Sequence, residues 1–348
     1  MTLKINELIE SANLIYKSNF PNTTYFERAI FISWYCAIGD CSFCYMSTQQ
    51  SKISEPKRAR RKIEGILADA FLCRKLGWRI EFISGGVESY TTEELEVLLN
   101  YINEIYHEKL WLNIGILDKS RLLRLKPYLL GITGTVETVN PLLHKQVCPS
   151  KPIKPIEYMF RVCEEIGLKK AITIIIGLGE TIDDFPLLED FIRMHNVDRI
   201  TFYALNPIKG TVFEANNGPE IEYFLEWIAM TRISFPKLDI IAGLWVNKIE
   251  HISLVLKAGA NALTKFPAIK LFGSEYCKMF EERAKSEREL IGTLTTMPKI
   301  DLKEIDEMKI EDSLKVRVKE KVIEFLEIAK RNNTLKLRVI SPDIDLYT

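Results

Sequence analysis

The sequence has no excess of either charge: its 348 residues include 47 Lys plus Arg and 47 Asp plus Glu, so the formal net charge is +0 at pH 7. Proteins that bind nucleic acid or anionic membrane surfaces usually have a basic excess or a basic stripe. The basic run at 57–62 is short and opens a helical pattern with later acidic residues, so we interpret it as a solvated face. We therefore expect no nucleic-acid partner.

A long apolar run is absent from the N-terminal part of the sequence. Residues 1–21 include Lys4, Glu7, Glu10 and Lys17, a pattern typical of neither a signal peptide nor a membrane span. The chain is 47% hydrophobic and 27% charged, which is the composition of an ordinary globular protein. We therefore expect one large domain or two small ones, and no membrane partner.

Cysteine is too scarce for a disulfide scaffold, because a chain of 348 residues with seven cysteines can build its core without covalent links. Three of them, Cys36, Cys41 and Cys44, fall within nine residues. The others are scattered: Cys73, Cys148, Cys163 and Cys277. The scattered four receive no functional role here, and the cluster is the feature that needs an explanation.

The remaining sequence alternates β-branched or aromatic runs with longer amphipathic stretches of helical period. We predict strands at 29–35, 79–83, 110–114, 129–135, 170–177, 199–205, 238–242 and 262–266. Helical patterns lie between them, near 55–76, 91–107, 117–127, 155–166, 182–195, 218–233 and 247–257. Such alternation is typical of parallel strands joined by crossover helices.

Eight such units either close into a barrel or form an open doubly wound sheet. No Gly-x-Gly-x-x-Gly follows the first strand, and the strand count and spacing suit a barrel of about 250 residues. We therefore predict an α/β fold: a (β/α)8 TIM-type barrel at 25–270, an N-terminal helix at 1–24 and a C-terminal helical extension at 271–348. Within the extension, 301–331 is predicted to be helical and 334–340 is a candidate strand.

In such barrels the site lies at the carboxyl ends of the strands. Five features directly follow predicted strands, so we expect them at one rim. They are the cysteine cluster after the first strand, Gly85-Gly86 after the second, Glu137-Thr138 at the fourth, 177–181 at the fifth and Asn206-Pro207 after the sixth.

The cluster Cys36-x4-Cys41-x2-Cys44 presents three thiols from one loop, with Gly39 favouring a tight turn. A Cys-x-x-Cys pair can chelate a metal ion, act as a redox dithiol or hold two corners of an iron–sulfur cluster. A dithiol does not need the third thiol, and structural zinc needs a fourth ligand that the nearby sequence lacks. Three thiolates on a [4Fe–4S] cluster would leave one iron without a protein ligand, which is the open position that a catalytic metal site needs. The alternative to a metal site is that the three thiols are buried and pack as small apolar residues.

This loop resembles the signature of the radical S-adenosylmethionine (SAM) superfamily, Cys-x3-Cys-x2-Cys with an aromatic residue, here Phe43, before the last cysteine. The chain departs from it by one extra residue between the first two cysteines. Residues 84–86 resemble the glycine motif whose backbone receives the SAM amino group, since glycine permits close approach. The resemblance implies that the cluster ligands are Cys36, Cys41 and Cys44, and that SAM contacts include Phe43, Ser84, Gly85 and Gly86.

Later motifs resemble the biotin-synthase-like branch of the superfamily, which includes the hydrogenase maturase HydE. Residues 137–144 are similar to its Glu-Thr-x-Asn-Pro-x-x-His segment, and 175–180 resemble its fifth-strand motif beside the adenine. The resemblance implies further SAM contacts from Glu137, Thr138, Ile175 and Leu205.

One position departs from that branch. The branch has an arginine nineteen residues after the glutamate, paired with the SAM carboxylate, and this chain has Ile156 there. The candidate replacements are Lys151, Lys154 and Arg161. Because the point charge of a lysine is not equivalent to the bidentate fork of an arginine, the contact with SAM changes if a lysine replaces it.

The resemblance also implies a mechanism. SAM binds the open iron, the reduced cluster gives one electron to the sulfonium, and cleavage yields methionine and a 5′-deoxyadenosyl radical. We expect a small-molecule substrate in a dry cavity with Tyr203, Thr135 and Trp245 as walls. An electron donor such as a ferredoxin or flavodoxin is expected, in a reducing cytoplasm, and no catalytic side chain is assigned.

Residues 33–49 and the shortened glycine motif resemble a radical SAM subfamily of methanogenic archaea, assigned to biosynthesis of the iron–guanylylpyridinol cofactor of [Fe]-hydrogenase. This resemblance implies a pyridinol precursor as product and other cofactor-assembly proteins as partners. Two alternatives stay open. One is a mutase or ring-forming synthase of another biotin-synthase-like pathway, and the other is a non-catalytic metal-binding scaffold that docks partners through 315–330.

Overall fold

The computed structural model describes residues 2–334. Its strands are β1 Thr23–Phe31, β2 Arg79–Ser84, β3 Leu110–Asn113, β4 Leu129–Glu137, β5 Lys169–Ile176, β6 Arg199–Ala204, β7 Asp239–Gly243, β8 Ala262–Thr264 and β9 Glu289–Ile291. From β1 to β8 each strand pairs in parallel with the next along the chain, and β8 pairs with β1 to close the ring. The predicted α/β fold, a (β/α)8 TIM-type barrel, is confirmed.

Helices surround the barrel. They are α1 Leu3–Asn19, α2 Tyr45–Gln49, α3 Ile63–Leu76, α4 Thr92–Tyr106, α5 Lys119–Leu125, α6 Pro141–Val147, α7 Lys154–Ile166, α8 Phe185–His195, α9 Ile221–Ser234, α10 Ile252–Lys257, α11 Ala268–Leu271, α12 Glu275–Lys285, α13 Lys303–Asp306 and α14 Asp312–Thr334. The helix expected from residue 55 begins later, at Ile63, because Pro56–Ala59 forms one 3-10 turn and Lys62 is extended. Thr91 and Glu94 form a capping box that starts α4.

The first strand begins at Thr23, six residues before the predicted start, and ends at Phe31. Its first half is polar, which hides the strand from a search for apolar runs. The structure gives these charges partners: Glu27 accepts a hydrogen bond from Arg199 at 2.9 Å, and Arg28 donates to Asp69 at 2.7 Å. Residues 32–35, predicted as strand, therefore belong to the cysteine loop.

The terminal helices cover different parts of the barrel wall. α1 lies against α9, and its Tyr16 hydroxyl donates to the backbone carbonyl of Thr23 at 2.8 Å. α14 lies against α3. In the part of the chain that the structure describes, no helix has both the length and the apolar character needed to cross a bilayer.

The C-terminal segment adds a strand that the sequence analysis missed. β9 pairs in parallel with residues 23–25 at the start of β1. Its three residues are too few to show a periodic pattern. The candidate strand at 334–340 lies outside the described residues except for Thr334, which ends α14. The division at residues 24 and 270 stays a prediction.

Buried polar contacts tie opposite strands together inside the barrel. Arg199 of β6 donates to Glu27 of β1 at 2.9 Å. One layer nearer the carboxyl ends, Glu81 of β2 accepts hydrogen bonds from the hydroxyls of Tyr203 on β6 and, at 2.5 Å, Thr264 on β8. Burial raises the pKa of Glu81. These contacts form a fixed floor under the strand ends.

Candidate active site

A cavity of about 470 Å³ lies at the carboxyl ends of the strands, a size typical of small-molecule sites. The predicted metal and cofactor residues that line it are Cys36, Cys41, Phe43, Cys44, Ser84, Gly85, Gly86, Glu137, Ile175 and Leu205. The three expected walls also line it, namely Thr135, Tyr203 and Trp245. The barrel thus brings loops that are distant in sequence to one site.

Two motif residues shape loops instead of lining the cavity. Thr138 is buried, and its hydroxyl accepts a hydrogen bond from the backbone N–H of Asn140 at 3.4 Å. The Glu180 carboxylate accepts hydrogen bonds from the N–H groups of Gly177 at 2.7 Å and Leu178 at 2.9 Å. Glu180 therefore closes the turn after β5.

Backbone hydrogen bonds attach the cysteine loop to its neighbours. The N–H of Ala37 donates to the carbonyl of Val87, beyond β2, at 3.0 Å. The N–H of Ser42 donates to the carbonyl of Val147, at the end of α6, at 2.9 Å. A tight turn is present at Gly39, whose φ of +58° is a conformation that glycine adopts without strain. The loop is therefore positioned by the segment after β2 and by the end of α6.

The three clustered cysteines are free thiols that face the same cavity. Among residues 2–334, no three His, Cys, Asp or Glu side chains are arranged to hold a single metal ion. In an iron–sulfur cluster each iron takes its own thiolate, so three thiols that line one cavity can bind three of the four irons of a [4Fe–4S] cluster. Burial raises the pKa of the Cys44 thiol to about 11, so a thiolate there needs a bound metal to stabilise it. The donor set fits an iron–sulfur cluster.

A fourth thiol, which the sequence analysis left unassigned, lies beside one of the cluster ligands. Cys148 is buried just after α6 and forms a hydrogen bond with Cys41 that lowers the pKa of Cys41. The same hydrogen bond, together with burial, raises the pKa of Cys148. Cys148 therefore packs against one of the proposed cluster ligands, but it is not among the residues that line the cavity.

A buried ion pair forms the β4 side of the cavity. Glu137 accepts a hydrogen bond from Lys151 Nζ at 2.8 Å, and Lys151 also donates to the Thr135 hydroxyl at 3.2 Å. Burial opposes the charge of Lys151, but Glu137 raises its pKa above the ordinary value. Of the three cations considered for the missing arginine, Lys151 lines the cavity, while Lys154 and Arg161 are exposed on α7.

His144 positions that lysine. Its Nε2 lies 2.6 Å from the backbone carbonyl of Lys151, and its Nδ1 lies 2.9 Å from the carbonyl of Val136. The histidine is buried, so these contacts join the loop after α6 to the end of β4. His144 therefore holds the backbone of Lys151 close to the end of β4.

The glycine motif lies directly against the cysteine loop. A Cβ atom added at Gly86 would lie 1.9 Å from the carbonyl oxygen of Tyr35 and 2.5 Å from Cβ of Cys36. At Gly85 the nearest atom to an added Cβ is a side-chain carbon of Ile32, at 3.1 Å. Gly86 is therefore required for the close approach of β2 to the first cysteine.

Backbone strain is concentrated at the cavity. Five non-glycine residues among those described have a positive φ angle, and two of them, His107 and Asn196, end helices. The other three line the cavity: Glu88 at +60°, Glu137 at +66° and Lys265 at +70°. Such conformations cost about 1–3 kcal/mol each and persist where the surroundings enforce them.

A (β/α)8 barrel whose strand ends gather three thiols, a close glycine turn and a buried Glu–Lys pair is typical of a cofactor-dependent enzyme. Residues 32–192 match the family model of the radical SAM superfamily. The chain is also 39% identical over 298 residues to an uncharacterized protein of Methanocaldococcus jannaschii, covering 84% of this chain and 82% of that protein.

Two further comparisons, one of sequence and one of fold, give other similar proteins. It is 29% identical over 208 residues to biotin synthase of Methanococcus maripaludis, covering 57% of this chain and 62% of that protein. The crystal structure of methylornithine synthase has the same fold, with a TM-score of 0.66 and 21% identity over 76% of this chain and 79% of that one. The chain belongs to the radical SAM superfamily and is a radical SAM enzyme with biotin-synthase-like relatives. Membership implies a [4Fe–4S] cluster and SAM.

Proposed function

We propose that this chain cleaves SAM reductively at a [4Fe–4S] cluster held by Cys36, Cys41 and Cys44. The observation that carries the proposal is that these thiols, the glycine motif and the Glu137–Lys151 pair line one cavity. When bound, the reduced cluster supplies the electron that releases methionine and a 5′-deoxyadenosyl radical from SAM. The chain itself binds and orients SAM and keeps water from the radical.

The proposal includes a contact in the cavity for each part of SAM. Gly86 lets the amino group approach the β2 backbone, and Ile175 and Leu205 supply apolar surface for the adenine. Lys151 uses one N–H donor for Glu137 and one for Thr135, which leaves the third for the SAM carboxylate. In this arrangement Lys151 replaces the arginine that position 156 lacks.

We further propose that the product is a precursor of the pyridinol part of the iron–guanylylpyridinol cofactor of [Fe]-hydrogenase, as in the radical SAM subfamily called HmdB or HcgA. The support is the run at 33–49 and the shortened glycine motif. The proposal includes a ferredoxin or flavodoxin as electron donor, other cofactor-assembly proteins as partners and a reducing cytoplasm. These conditions suit an oxygen-sensitive cluster.

Anaerobic reconstitution with iron and sulfide is expected to give a brown protein with about four iron atoms per chain and absorbance near ~400 nm. With SAM and a strong reductant, this protein should form 5′-deoxyadenosine, measured by chromatography and mass spectrometry. A protein that holds four iron atoms, binds SAM and forms no 5′-deoxyadenosine would contradict the proposed cleavage. For the product, isotope from labelled candidate substrates should appear in a pyridinol, and transfer only into a rearranged amino acid would favour a mutase.

Lys151→Met is expected to weaken SAM binding by roughly ten- to hundredfold, because it removes a charge-assisted hydrogen bond to the carboxylate. Equilibrium binding of SAM to the reconstituted protein measures this effect, and Lys151→Arg should recover most of the affinity. Lys154→Met is the matched control, since Lys154 is exposed at the start of α7. Equal losses in both methionine variants would remove Lys151 from the SAM site.

A further inference from the structure

A second lysine lines the cavity on the wall opposite Lys151. Lys265 directly follows β8, which lies across the barrel from β4 because the eight strands pair in chain order. Its side chain is half-buried, and its Nζ lies 4.9 Å from the ring centre of Tyr203, 5.7 Å from that of Trp245 and 5.8 Å from that of Phe31. Three aromatic rings therefore surround this ammonium group.

This ammonium group has unused hydrogen-bond donors. Among the described residues, no acceptor lies within 3.5 Å of Lys265 Nζ, and no carboxylate oxygen lies within 4.0 Å. Aromatic faces attract a cation but do not replace the hydrogen-bond acceptors that three N–H groups require. Other enclosed cations have acceptors: Lys151 pairs with Glu137, and Arg199 pairs with Glu27. The donors of Lys265 are left for a molecule in the cavity.

The position of Lys265 depends on an unfavourable backbone conformation and on a neighbouring glycine. Lys265 has a φ of +70°, a left-handed conformation that is unfavourable for a residue with a long side chain. On the neighbouring strand, a Cβ added at Gly243 would lie 2.2 Å from Cδ1 of Tyr203 and 3.0 Å from Cγ of Lys265. Residues at the ends of β6, β7 and β8 thus fit together to hold the side chain in place.

We propose that Lys265 binds a carboxylate group of the substrate, whose apolar body lies against Phe31, Tyr203 and Trp245. This inference rests on the proposed function, because it takes SAM to bind on the Glu137 side of the cavity. Among the described residues that line the cavity, the cations are Lys151 and Lys265, so one cation is available for the substrate. A carboxylate carries one negative charge, which one lysine balances, whereas a phosphate carries about −1.5 to −2 near pH 7 and would stay partly unbalanced beside a single lysine.

The test uses the full-length, reconstituted protein saturated with SAM, and benzoate, benzamide and inorganic phosphate as probes in calorimetric titrations. Benzoate is expected to bind at least tenfold more tightly than its neutral analogue benzamide, and phosphate more weakly than benzoate. Lys265→Met should remove the preference for benzoate, and Lys265→Arg should restore part of it. Circular dichroism and thermal unfolding check that each variant folds.

Lys237→Met is the matched control, because Lys237 is exposed before β7, at the end of the barrel away from the cavity. It should bind benzoate as the unmodified chain does. The proposal is overturned by equal binding of benzoate and benzamide, by an unchanged preference in Lys265→Met, or by tighter binding of phosphate. Displacement of benzoate by SAM would assign Lys265 to the SAM carboxylate instead. The benzoate titrations are repeated on protein without iron and SAM, so that this test stays separate from iron content and 5′-deoxyadenosine formation, which test the proposed function.

Discussion

Replacement of Cys36, Cys41 or Cys44 by alanine, one at a time, is expected to reduce 5′-deoxyadenosine formation to background. Each substitution removes one of three protein ligands, so the reconstituted variants should hold well below the expected four iron atoms and lose the brown colour. The thiols come from one loop that is fixed by hydrogen bonds to Val87 and Val147, so no other thiol on that loop can replace a missing ligand. Iron analysis, absorbance and product formation measure the three effects.

Cys148→Ala is the decisive control for these variants. Cys148 packs against Cys41, but unlike the three clustered cysteines it is not among the residues that line the cavity. This variant should keep more than half of the iron and a measurable rate. If Cys148→Ala loses the cluster while any one of the three ligand variants keeps it, the ligand assignment is wrong.

The barrel could be predicted from the sequence because segments of helical period separate its eight strands, and a parallel arrangement explains this order. The start of β1 could not be predicted, because Glu27 and Arg28 look like loop residues until Arg199 and Asp69, distant in sequence, pair with them. β9 was missed because a strand of three residues has no detectable period. Both errors arise from tertiary contacts that local patterns do not contain.

The site was predictable where a motif directly follows a strand, because all carboxyl ends of a parallel barrel meet at one rim. The cysteine loop, the glycine motif and Glu137 line the cavity for this reason. Single residues outside motifs were harder to find. The choice of Lys151 over two other cations and the aromatic surroundings of Lys265 depend on loop paths that no spacing in the sequence reveals.

Gly86→Ala is expected to damage cluster and SAM binding together, because its new methyl group would lie 1.9 Å from the carbonyl oxygen of Tyr35 and 2.5 Å from Cβ of Cys36. Both atoms belong to the start of the cysteine loop, so either the first ligand or the β2 turn must move. Overpacking of this kind costs about 1–3 kcal/mol of stability. We expect the iron content to fall and the rate of 5′-deoxyadenosine formation to drop at least about tenfold, an effect of about 1.4 kcal/mol on the reaction barrier.

Two matched glycine variants separate this contact from a general effect of adding a methyl group. Gly65 lies in α3, where the nearest atom to an added Cβ is in the Arg61 side chain, 3.6 Å away, so Gly65→Ala should keep full activity and gain about 0.5–1 kcal/mol of stability. Gly85→Ala meets side-chain atoms at 3.1–3.2 Å, which can shift, and should lie between the two. Equal iron content and equal rates in Gly86→Ala and Gly65→Ala would show that the close approach of β2 to Cys36 is not needed for the cluster. The expected order, with iron content and rate highest in Gly65→Ala and lowest in Gly86→Ala, would instead show that cluster binding requires glycine at position 86.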